Sequence, residues 1–379
     1  MEARHEAIVA GAGPAGLAAA GVLAGKGFQT VLLERTEAVA ARWRRRYDGL
    51  RLNTMRICSG LPGHRIPRGY GRYPSRDDYV AYLESYVDRR GLDVRFSTAL
   101  ERVDRGEGGL WRLETSAGPM LARHVVVATG YDAVPALPAW AEGQDFPGEL
   151  IHAADYRAPG PYAGREVLIV GAGNTGVDIA GHLIAAGARV TVAMRTPPNL
   201  FPRDLFGIPL QPSGIVADGL PSRVGDAGGR LMQRLAFGNL ETYGIPRAPE
   251  GFQSKFRNKV IGPAIDDGFV AALKAGRTRV VAAVERLDGA DVVLTDGTRV
   301  QPEVIICATG YHRNLEPMVG HLGVLRDDGI PINHDGAPAH PSAPRLYFAG
   351  FWGSPAGQIF LMPRHARRIG RAAARDRRD

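Results

Sequence analysis

Hydrophobic residues come in short, unbroken runs along the first part of the chain, and the first run ends in a cluster of glycines. The run EAIVA at 6–10 leads into the turn GAGPAG at 11–16. A helix is predicted over 17–25, and the next apolar run is QTVLLE at 29–34. Strands that are apolar on both faces are typical of a parallel sheet with helices on both sides. The pattern therefore predicts an α/β fold.

The most regular helical pattern lies over 74–91, PSRDDYVAYLESYVDRRG. Ser75 is placed to cap its N-terminus, the acids that follow favour the positive end of the helix dipole, and Gly91 can close the other end. The spacing of its apolar residues predicts one buried stripe. That stripe consists of Tyr79, Leu83, Tyr86 and Val87.

The opening scheme of strand, glycine turn, helix and strand occurs again in the middle of the chain. The run EVLIV at 166–170 precedes GAGNTG at 171–176, a helix predicted over 177–186, and the strand RVTVAM at 189–194. A strand that enters a helix through GxGxxG is the signature of a dinucleotide-binding fold. Two copies predict two Rossmann-like dinucleotide-binding domains in one α/β protein.

The order of the motifs indicates that the second unit is inserted into the first. The letters ATGY follow each copy, at 128–131 and at 308–311. We expect the chain to leave the first domain near Tyr131 and to return to it near Tyr311. The predicted domains are 1–150 together with 303–379, and 151–302.

In the first turn, Gly11 permits the tight bend, Gly13 lets the backbone approach a pyrophosphate, and Gly16 lets helix and strand pack closely. The helix N-terminus offers free N–H groups to the phosphates. Glu34 ends the next strand, at the offset expected for gripping ribose hydroxyls. With the neighbouring Pro14, Ala15 and Arg35, these residues form a predicted cofactor site.

The second turn repeats the device with Gly171, Gly173 and Gly176. At the place of the acid in the first copy it has Arg195, followed by Thr196. A guanidinium there can hold a 2′-phosphate by two hydrogen bonds, which favours NADPH over NADH. The alternative is a surface arginine at a strand end in a protein that accepts either nicotinamide.

Two dinucleotide sites in one chain imply two cofactors that exchange a hydride. The first site, with its acidic residue and a chain that returns to it near the C-terminus, suits FAD. The second suits NADPH. The sequence therefore predicts a protein that binds both cofactors.

Composition and charge narrow the class of protein. The 379 residues carry a formal net charge of +8, but the arginines are dispersed, so we expect solvated faces and no nucleic-acid partner. The two cysteines, Cys58 and Cys307, form neither a CxxC pair nor a zinc pattern, so no metal site is predicted. We see no signal peptide and no apolar run that could span a bilayer. A cytoplasmic monomer or homodimer with no membrane partner is expected.

A further motif lies just before the second glycine turn. Phe146, Gly148, His152 and Tyr156 match FxGxxxHxxx(Y/F). This resembles the identifying motif of the class B flavoprotein monooxygenases. In that family the motif lies at the junction of the FAD and NADPH domains. The resemblance implies that His152 couples nicotinamide binding to domain geometry and donates no catalytic proton.

The resemblance extends along most of the chain and is nearest to the YUCCA branch of flavin-containing monooxygenases. Matching blocks are YDGLRLNT, YPSRDDYVAYLESYV, GAGNTGVDIA, FGNLETYGIPR, DGTRVQPEVIICATGY and LYFAGF. It implies that Asn53 is an active-site amide near the flavin, although YUCCA members differ at that place. The remaining predicted cofactor contacts are Arg42, Thr129, Gly130, Asn174, Thr175, Thr309, Gly310, Tyr311, Gly350 and Gln358.

The chain also departs from the family. Where members have GGxW, it has AARW at 40–43, which keeps Trp43 as a cover for the flavin but lacks the glycines. Tyr156 replaces the tryptophan of Baeyer–Villiger enzymes. The weakly patterned segment 205–255 is expected to hold the substrate contacts. Its candidates for lining a pocket are Phe206, Ile208, Leu210 and Phe252, and plain core packing is the alternative.

The chemistry that the resemblance implies is oxygenation of a small organic substrate by O₂ through a flavin C(4a)-(hydro)peroxide, with NADPH as reductant. N- or S-oxygenation, oxidative decarboxylation of an α-keto acid and Baeyer–Villiger oxidation all stay open. Two alternatives of another class are a flavin disulfide reductase, which would need a redox cysteine pair, and a nucleotide-binding regulator that has lost turnover.

Overall fold

The computed structural model describes residues 3–143, 146–259, 261–351 and 353–377. In chain order the strands are β1 Ala3–Ala10, β2 Thr30–Leu33, β3 Asp93–Arg95, β4 Leu100–Arg105, β5 Trp111–Thr115, β6 Met120–Val127, β7 Val134–Pro135, β8 Glu149–His152, β9 Glu166–Val170, β10 Arg189–Ala193, β11 Leu200–Pro202, β12 Asp204–Leu205, β13 Ile208–Pro209, β14 Ala264–Asp266, β15 Thr278–Val281, β16 Val284–Asp288, β17 Asp291–Leu294, β18 Arg299–Val300, β19 Val304–Cys307, β20 Tyr311–His312, β21 Pro338–His340 and β22 Ala343–Phe348. The helices are α1 Pro14–Ala24, α2 Ala41–Arg44, α3 Arg76–Arg90, α4 Asn174–Ala185, α5 Gln211–Asp218, α6 Ser222–Phe237, α7 Phe252–Lys259, α8 Phe269–Lys274, α9 Glu316–Val319 and α10 Gln358–Asp376.

Two mainly parallel sheets form the framework. The first has the order β21-β22-β6-β1-β2-β3, and the antiparallel strands β4 and β5 extend it from β6. The second has the order β15-β10-β9-β19-β8 and is parallel throughout. In each, the strand that leads into the glycine turn lies inside the sheet. The predicted α/β fold with two dinucleotide-binding units is confirmed.

The strand pairings also show where the second unit joins the first. Strand β19 lies between β9 and β8, so residues 304–307 belong to the second sheet. Residues 304–307, just after the predicted boundary at 303, therefore pair within the second sheet. The two crossing segments run side by side, because β7 pairs with β20. The domain limits themselves stay a prediction.

Helix α3 forms as its sequence predicts. The Ser75 side chain accepts a hydrogen bond from the Asp78 backbone N–H, and the Asp78 carboxylate accepts one from the Ser75 backbone N–H. Gly91 ends the helix with φ of 55°. Of the predicted stripe, Val87 is only half-buried. The fully packed side chains of this face are Tyr79, Val80, Tyr82, Leu83 and Tyr86.

The core of the first unit lies on both faces of its sheet. Helices α1, α3 and α10 cover one face, and α1 packs closely on α10. A β-carbon on Gly21 of α1 would lie 2.2 Å from the Tyr86 hydroxyl oxygen, so the close helix contact requires glycine there. In the second unit α4 and α8 cover one face of the sheet.

The weakly patterned segment holds three helices, α5, α6 and α7, which the sequence did not predict. Short strand pairs, β11 with β14 and β12 with β13, connect them to the second unit. Glycines within α6 hid its helical pattern: Gly225 and Gly229 are buried against Gln253 and Phe252 of α7. Among the described residues, no helix combines the length and apolar composition that crossing a bilayer requires.

Candidate active site

The two glycine turns lie at the carboxyl ends of β1 and β9 and have nearly the same backbone. Gly11 has φ of +109° and Gly171 has φ of +107°. A β-carbon would lie 2.4 Å from the Ala128 carbonyl oxygen at the first position and 2.6 Å from the Ala308 carbonyl oxygen at the second. Both positions therefore require glycine for conformation and for space.

The other glycines of each turn have the same division of roles. A β-carbon on Gly16 or Gly176 would lie 1.8 or 1.9 Å from the carbonyl oxygen of the first glycine of its turn. A β-carbon on Gly13 or Gly173 would have no atom within 4 Å. The middle glycines thus leave open space in front of α1 and α4, whose first N–H groups have no side-chain cap. Such a helix end favours a phosphate group.

One cavity of about 1740 Å³ extends over both turns. All of the predicted site residues line it except Gly16, Gly171, Gly176, Arg195 and Thr196. The three glycines pack behind the turns, while Arg195 and Thr196 are exposed beyond the end of β10. The structure thus brings the two cradles, Asn53 and His152 together around one space.

Glu34 is already held in the position that its role requires. Its carboxylate accepts hydrogen bonds from the Ala12 N–H at 2.9 Å and from the N–H and hydroxyl of Thr36 at 3.0 and 2.8 Å. Ala12 belongs to the glycine turn itself. The acid therefore fixes the turn as well as facing the cavity.

Several polar atoms of cavity-lining residues are buried without a partner in the described part of the chain. They are the Thr129 hydroxyl and the Nε atoms of Arg42, Arg203 and Arg313. Buried donors are normally satisfied, so such a group of donors points to a bound molecule rich in acceptors. For Thr129 and Arg42, which line the first cradle, a dinucleotide has that character, and the cradle provides the space that its phosphates need.

His152 connects the second sheet to the returning chain. Its Nδ1 accepts a hydrogen bond from the Ala154 N–H at 3.0 Å, so Nε2 carries the proton and donates to the Gly310 carbonyl oxygen at 3.0 Å. The ring also packs edge-to-face on Tyr311, with centroids 5.0 Å apart. Burial lowers the pKa of His152. The imidazole is therefore a neutral structural link at the junction.

Asn53 lies between the two units. Its amide nitrogen donates to the Asn174 side-chain oxygen at 3.2 Å, and that same oxygen accepts from the Ile265 N–H. Its own oxygen faces the Arg203 guanidinium at 3.4 Å. The amide predicted from the first unit thus contacts the first residue of α4 in the second.

Other predicted residues have structural partners at the cavity wall. Trp43 packs edge-to-face on Tyr79, with centroids 5.0 Å apart, and Arg42 donates to the Ala133 carbonyl oxygen. The Gln358 amide donates to the Gly350 carbonyl oxygen at 2.6 Å. Gly350 itself has φ of +86°. These contacts fix the wall of the first cradle.

Sequence reasoning missed two polar pairs near the junction, of which only the second, Tyr47 with Asp178, bridges the two units. Arg46 forms an ion pair with Asp132 and lies over the Tyr311 ring. Tyr47 donates to Asp178 of α4, and burial raises its pKa well above the ordinary value. In the sequence the arginine is one of several in the charged run RWRRR, and nothing in the local pattern marks its partner 86 residues away.

The two cysteines do not form a redox pair. Both are free, Cys58 half-buried and Cys307 buried in β19. Burial raises the pKa of both thiols, that of Cys307 to about 12. Neither is a thiolate near neutral pH, so the alternative of a disulfide reductase lacks its nucleophile.

Known proteins resemble this chain over most of its length. Residues 8–204 match the family described as pyridine nucleotide-disulphide oxidoreductase. The indole-3-pyruvate monooxygenase YUCCA1 of Oryza sativa subsp. japonica is 35% identical over 327 residues, which cover 84% of this chain and 80% of that protein. The probable indole-3-pyruvate monooxygenase YUCCA3 of Arabidopsis thaliana is 30% identical over 338 residues, 86% of this chain and 77% of that protein.

The fold has solved counterparts. The flavin-containing monooxygenase from Stenotrophomonas maltophilia aligns with a TM-score of 0.74 at 23% identity and covers 99% of both chains. The sequence relatives carry the argument beyond fold, since they match the chain at 30% identity or more across both cradles. The chain belongs to the class B flavin-dependent monooxygenases, in their YUCCA-like branch, and is an enzyme that uses FAD, NADPH and O₂.

Proposed function

We propose that this enzyme oxidatively decarboxylates an α-keto acid with an apolar, aromatic side chain. In the balanced reaction R–CO–COOH, O₂, NADPH and H⁺ give R–COOH, CO₂, NADP⁺ and H₂O. The bond between the carbonyl carbon and the carboxyl carbon breaks, one oxygen atom enters the new acid, and the other leaves as water. The names of the relatives at 30–35% identity, indole-3-pyruvate monooxygenases, support this substrate class.

The observation that carries the proposal is the apolar extension of the cavity. Beyond the cradles it is lined by side chains of the three unpredicted helices and the segments beside them, such as Leu210, Met232, Phe252, Phe256 and Ile261. An aromatic side chain buried among such residues is stabilised by the hydrophobic effect.

The expected substrate segment contributes only in part. Phe206 and Ile208 are 89% and 67% exposed and do not line the cavity, whereas Leu210 and Phe252 do. Phe206 lies in the turn between β12 and β13 with φ of +51°.

For the first cradle we propose the role of FAD site. Gly11, Gly13 and the start of α1 would hold the pyrophosphate, and Glu34 the ribose. FAD supplies the activated oxygen when it is bound and has been reduced by NADPH. The chain's own part is to hold the ring and exclude water. The residues proposed for that wall are Pro14, Ala15, Gly16, Arg35, Arg42, Trp43, Thr129, Gly130, Gly350 and Gln358.

For the second cradle we propose the role of NADPH site. Gly171, Gly173 and the start of α4 would hold the pyrophosphate, while Arg195 and Thr196 would meet the 2′-phosphate. Asn174, Thr175, Gly176, Thr309, Gly310 and Tyr311 complete the proposed set. His152 would keep the returning chain in register through Gly310, and Asn53 would orient the reacting groups through its amide.

Isotopes test the reaction directly. The FAD-loaded enzyme is given NADPH, ¹⁸O₂ and an arylpyruvate labelled with ¹³C at its carboxyl carbon. The proposal expects one mole of ¹³CO₂ for each NADPH consumed, with one ¹⁸O atom in the arylacetic acid. A thioether, a tertiary amine and a cyclic ketone run in parallel. Oxygenation of one of these while the keto acid stays intact would overturn the substrate assignment.

A further inference from the structure

Arg203 is a cavity-lining arginine that the two cofactor cradles do not account for. It directly follows β11, and its side chain is only 12% exposed. It faces Asn53, the residue that lies between the two units. The cavity therefore contains a nearly buried cation at the border between the cradles and the apolar extension.

The Arg203 guanidinium has one side that is paired, at Nη1, and one edge that is open, formed by Nε and Nη2. Nη1 is bound to the Asp267 carboxylate at 2.8 Å, and Asp267 is 56% exposed, so that ion pair points toward solvent. Nη2 has only the long contact of 3.4 Å to the Asn53 oxygen. Nε is buried and has no hydrogen-bond partner among the described residues. Among the described residues, Nε is unpaired and Nη2, which carries two hydrogens, has one partner, so both atoms can still donate to a ligand.

The open edge has the shape that a carboxylate requires. The hydrogens on Nε and Nη2 lie parallel along one side of the guanidinium, and the two oxygens of a carboxylate match that spacing. The guanidinium is also held against the Tyr73 ring, with its carbon 5.4 Å from the centroid. The Tyr73 hydroxyl is itself fixed by the Asp204 carboxylate at 2.7 Å. The edge is therefore preorganised before any ligand binds.

We propose that Arg203 anchors the carboxylate of the substrate through its Nε and Nη2 atoms. This rests on the proposed function, because only a substrate with a carboxylate needs the anchor. The carboxylate at Arg203 and the aromatic side chain among the apolar residues fix two ends of the molecule. The carbonyl carbon between them is then presented beside Asn53.

The proposed reaction determines which kinetic constant should change when Arg203 no longer binds the carboxylate. The carboxylate that Arg203 pairs with keeps its charge until the bond to the carbonyl carbon breaks, so the contact is made equally in the bound substrate and in the steps that precede that break. Uniform binding of this kind lowers KM and leaves kcat little changed. Removal of the anchor should therefore raise KM for the keto acid.

Three variants of the FAD-loaded full chain test the anchor. Arg203→Met removes the charge and keeps much of the volume, and Arg203→Lys keeps a charge without the planar edge. Arg72→Met is the matched control: Arg72 lies 3.5 Å from Asp204 in the same cluster but outside the cavity lining. Flavin content and melting temperature establish that each variant is folded.

The probes are an arylpyruvate, its methyl ester and NADPH. Arg203→Met is expected to raise KM for the arylpyruvate roughly 10- to 100-fold, the range of a lost charge-assisted pair. Because the ester cannot lose CO₂, it is measured as an inhibitor. Its inhibition constant and the KM for NADPH should change less than about twofold, and the KM of Arg203→Lys for the arylpyruvate should lie between those of the wild type and Arg203→Met. The proposal is wrong if Arg203→Met weakens binding of the arylpyruvate and of its methyl ester equally. A rise in KM for NADPH alone would also overturn the proposal, because Arg203 would then be a contact of the cofactor phosphates.

Binding separates this proposal from the function on which it rests. Titration of the oxidised, FAD-loaded enzyme with arylpyruvate, followed by the flavin absorbance, needs no turnover. Arg203-dependent binding without decarboxylation leaves the anchor standing and removes the proposed reaction. Decarboxylation with equal KM in the wild type and Arg203→Met removes the anchor and leaves the reaction.

Discussion

The two glycine cradles are nearly identical in backbone, and they differ in the residue that ends the next strand. Gly11 and Gly171 share their φ within a few degrees, and the third glycines share their close approach. The strand after the first turn ends in buried Glu34, which hydrogen-bonds back to that turn. After the second turn, Arg195 is exposed two residues beyond the end of β10. The backbone geometry is therefore common to both cradles, and we expect the residue beyond the next strand to distinguish the ligands.

Replacement of the first glycine of each turn should separate the two ligands most strongly. Gly11→Ala brings a β-carbon within 2.4 Å of the Ala128 carbonyl oxygen. The flavin content of the purified variant should therefore be at least about tenfold lower than that of the wild type. Gly171→Ala should keep its FAD and lose reduction by NADPH, while dithionite still bleaches the flavin. Absorbance spectra before and after each reductant measure both effects.

Gly118→Ala is the matched control for this pair. Gly118 also has positive φ, +99°, but a β-carbon there meets nothing within 4 Å. Gly118→Ala therefore introduces backbone strain without a steric clash, so both cofactors should bind as in the wild type. If Gly171→Ala lost its flavin and Gly11→Ala kept it, the two assignments would have to be exchanged.

Arg195→Ala should sharpen the difference between the strand ends. If Arg195 meets the 2′-phosphate, KM for NADPH rises about 10- to 100-fold and KM for NADH changes little. Steady-state kinetics with both nicotinamides give the comparison. Arg189→Ala, at the start of the same strand and paired with Glu166, serves as control. Equal losses for NADPH and NADH would contradict the assignment.

The repeated parts of the fold could be predicted because their causes are local. The glycine turns, the apolar strands and the capped helix α3 each depend on residues close in sequence, and the structure has all of them. The helices of the inserted segment could not, because their packing uses glycines as contact points. Gly229, for example, would place a β-carbon 2.5 Å from the Phe252 ring. That contact crosses to another helix and leaves no local signal.

The site shows the same division. Nearly all of the residues predicted from motifs line the cavity, because a motif records a local backbone shape. Arg203 was missed, although it lines the same cavity. Its partners Asp267 and Asn53 lie 64 and 150 residues away along the chain, so only the folded structure brings them together.

His152→Phe should weaken the joint between the units while both cradles stay intact. The variant keeps a ring against Tyr311 and loses the hydrogen bonds to Gly310 and Ala154. We expect a loss of about 1–3 kcal/mol in the free energy of unfolding and slower flavin reduction by NADPH. Thermal melting and stopped-flow reduction measure these. Tyr156→Phe is the control from the same motif, since its buried hydroxyl has no partner in the described chain.

The smallest expected effect is on the pH dependence of stability, and it comes from His124, a buried histidine of the first sheet. His124, in β6, lies between the rings of Phe28 and Tyr347, and burial lowers its pKa from 6.5 to about 4 despite the nearby Asp376. The folded state thus holds it neutral while the unfolded chain takes up a proton below 6.5. Its stabilising contribution is present above that pH and is lost as the pH falls toward 4, by at most about 2 kcal/mol near pH 5.

His124→Phe should remove that loss, so its melting temperature should fall less than that of the wild type between neutral pH and about pH 5. The half-buried His340, exchanged for Phe, is the control and should follow the wild type. His152 in the second sheet makes two hydrogen bonds, so His152→Phe should lower the stability at neutral pH. His124→Phe should instead raise the stability relative to the wild type in acid. If His124→Phe followed the wild type in acid, the acid sensitivity would have to come from another buried group, such as His365 in α10, whose pKa burial also lowers to about 4.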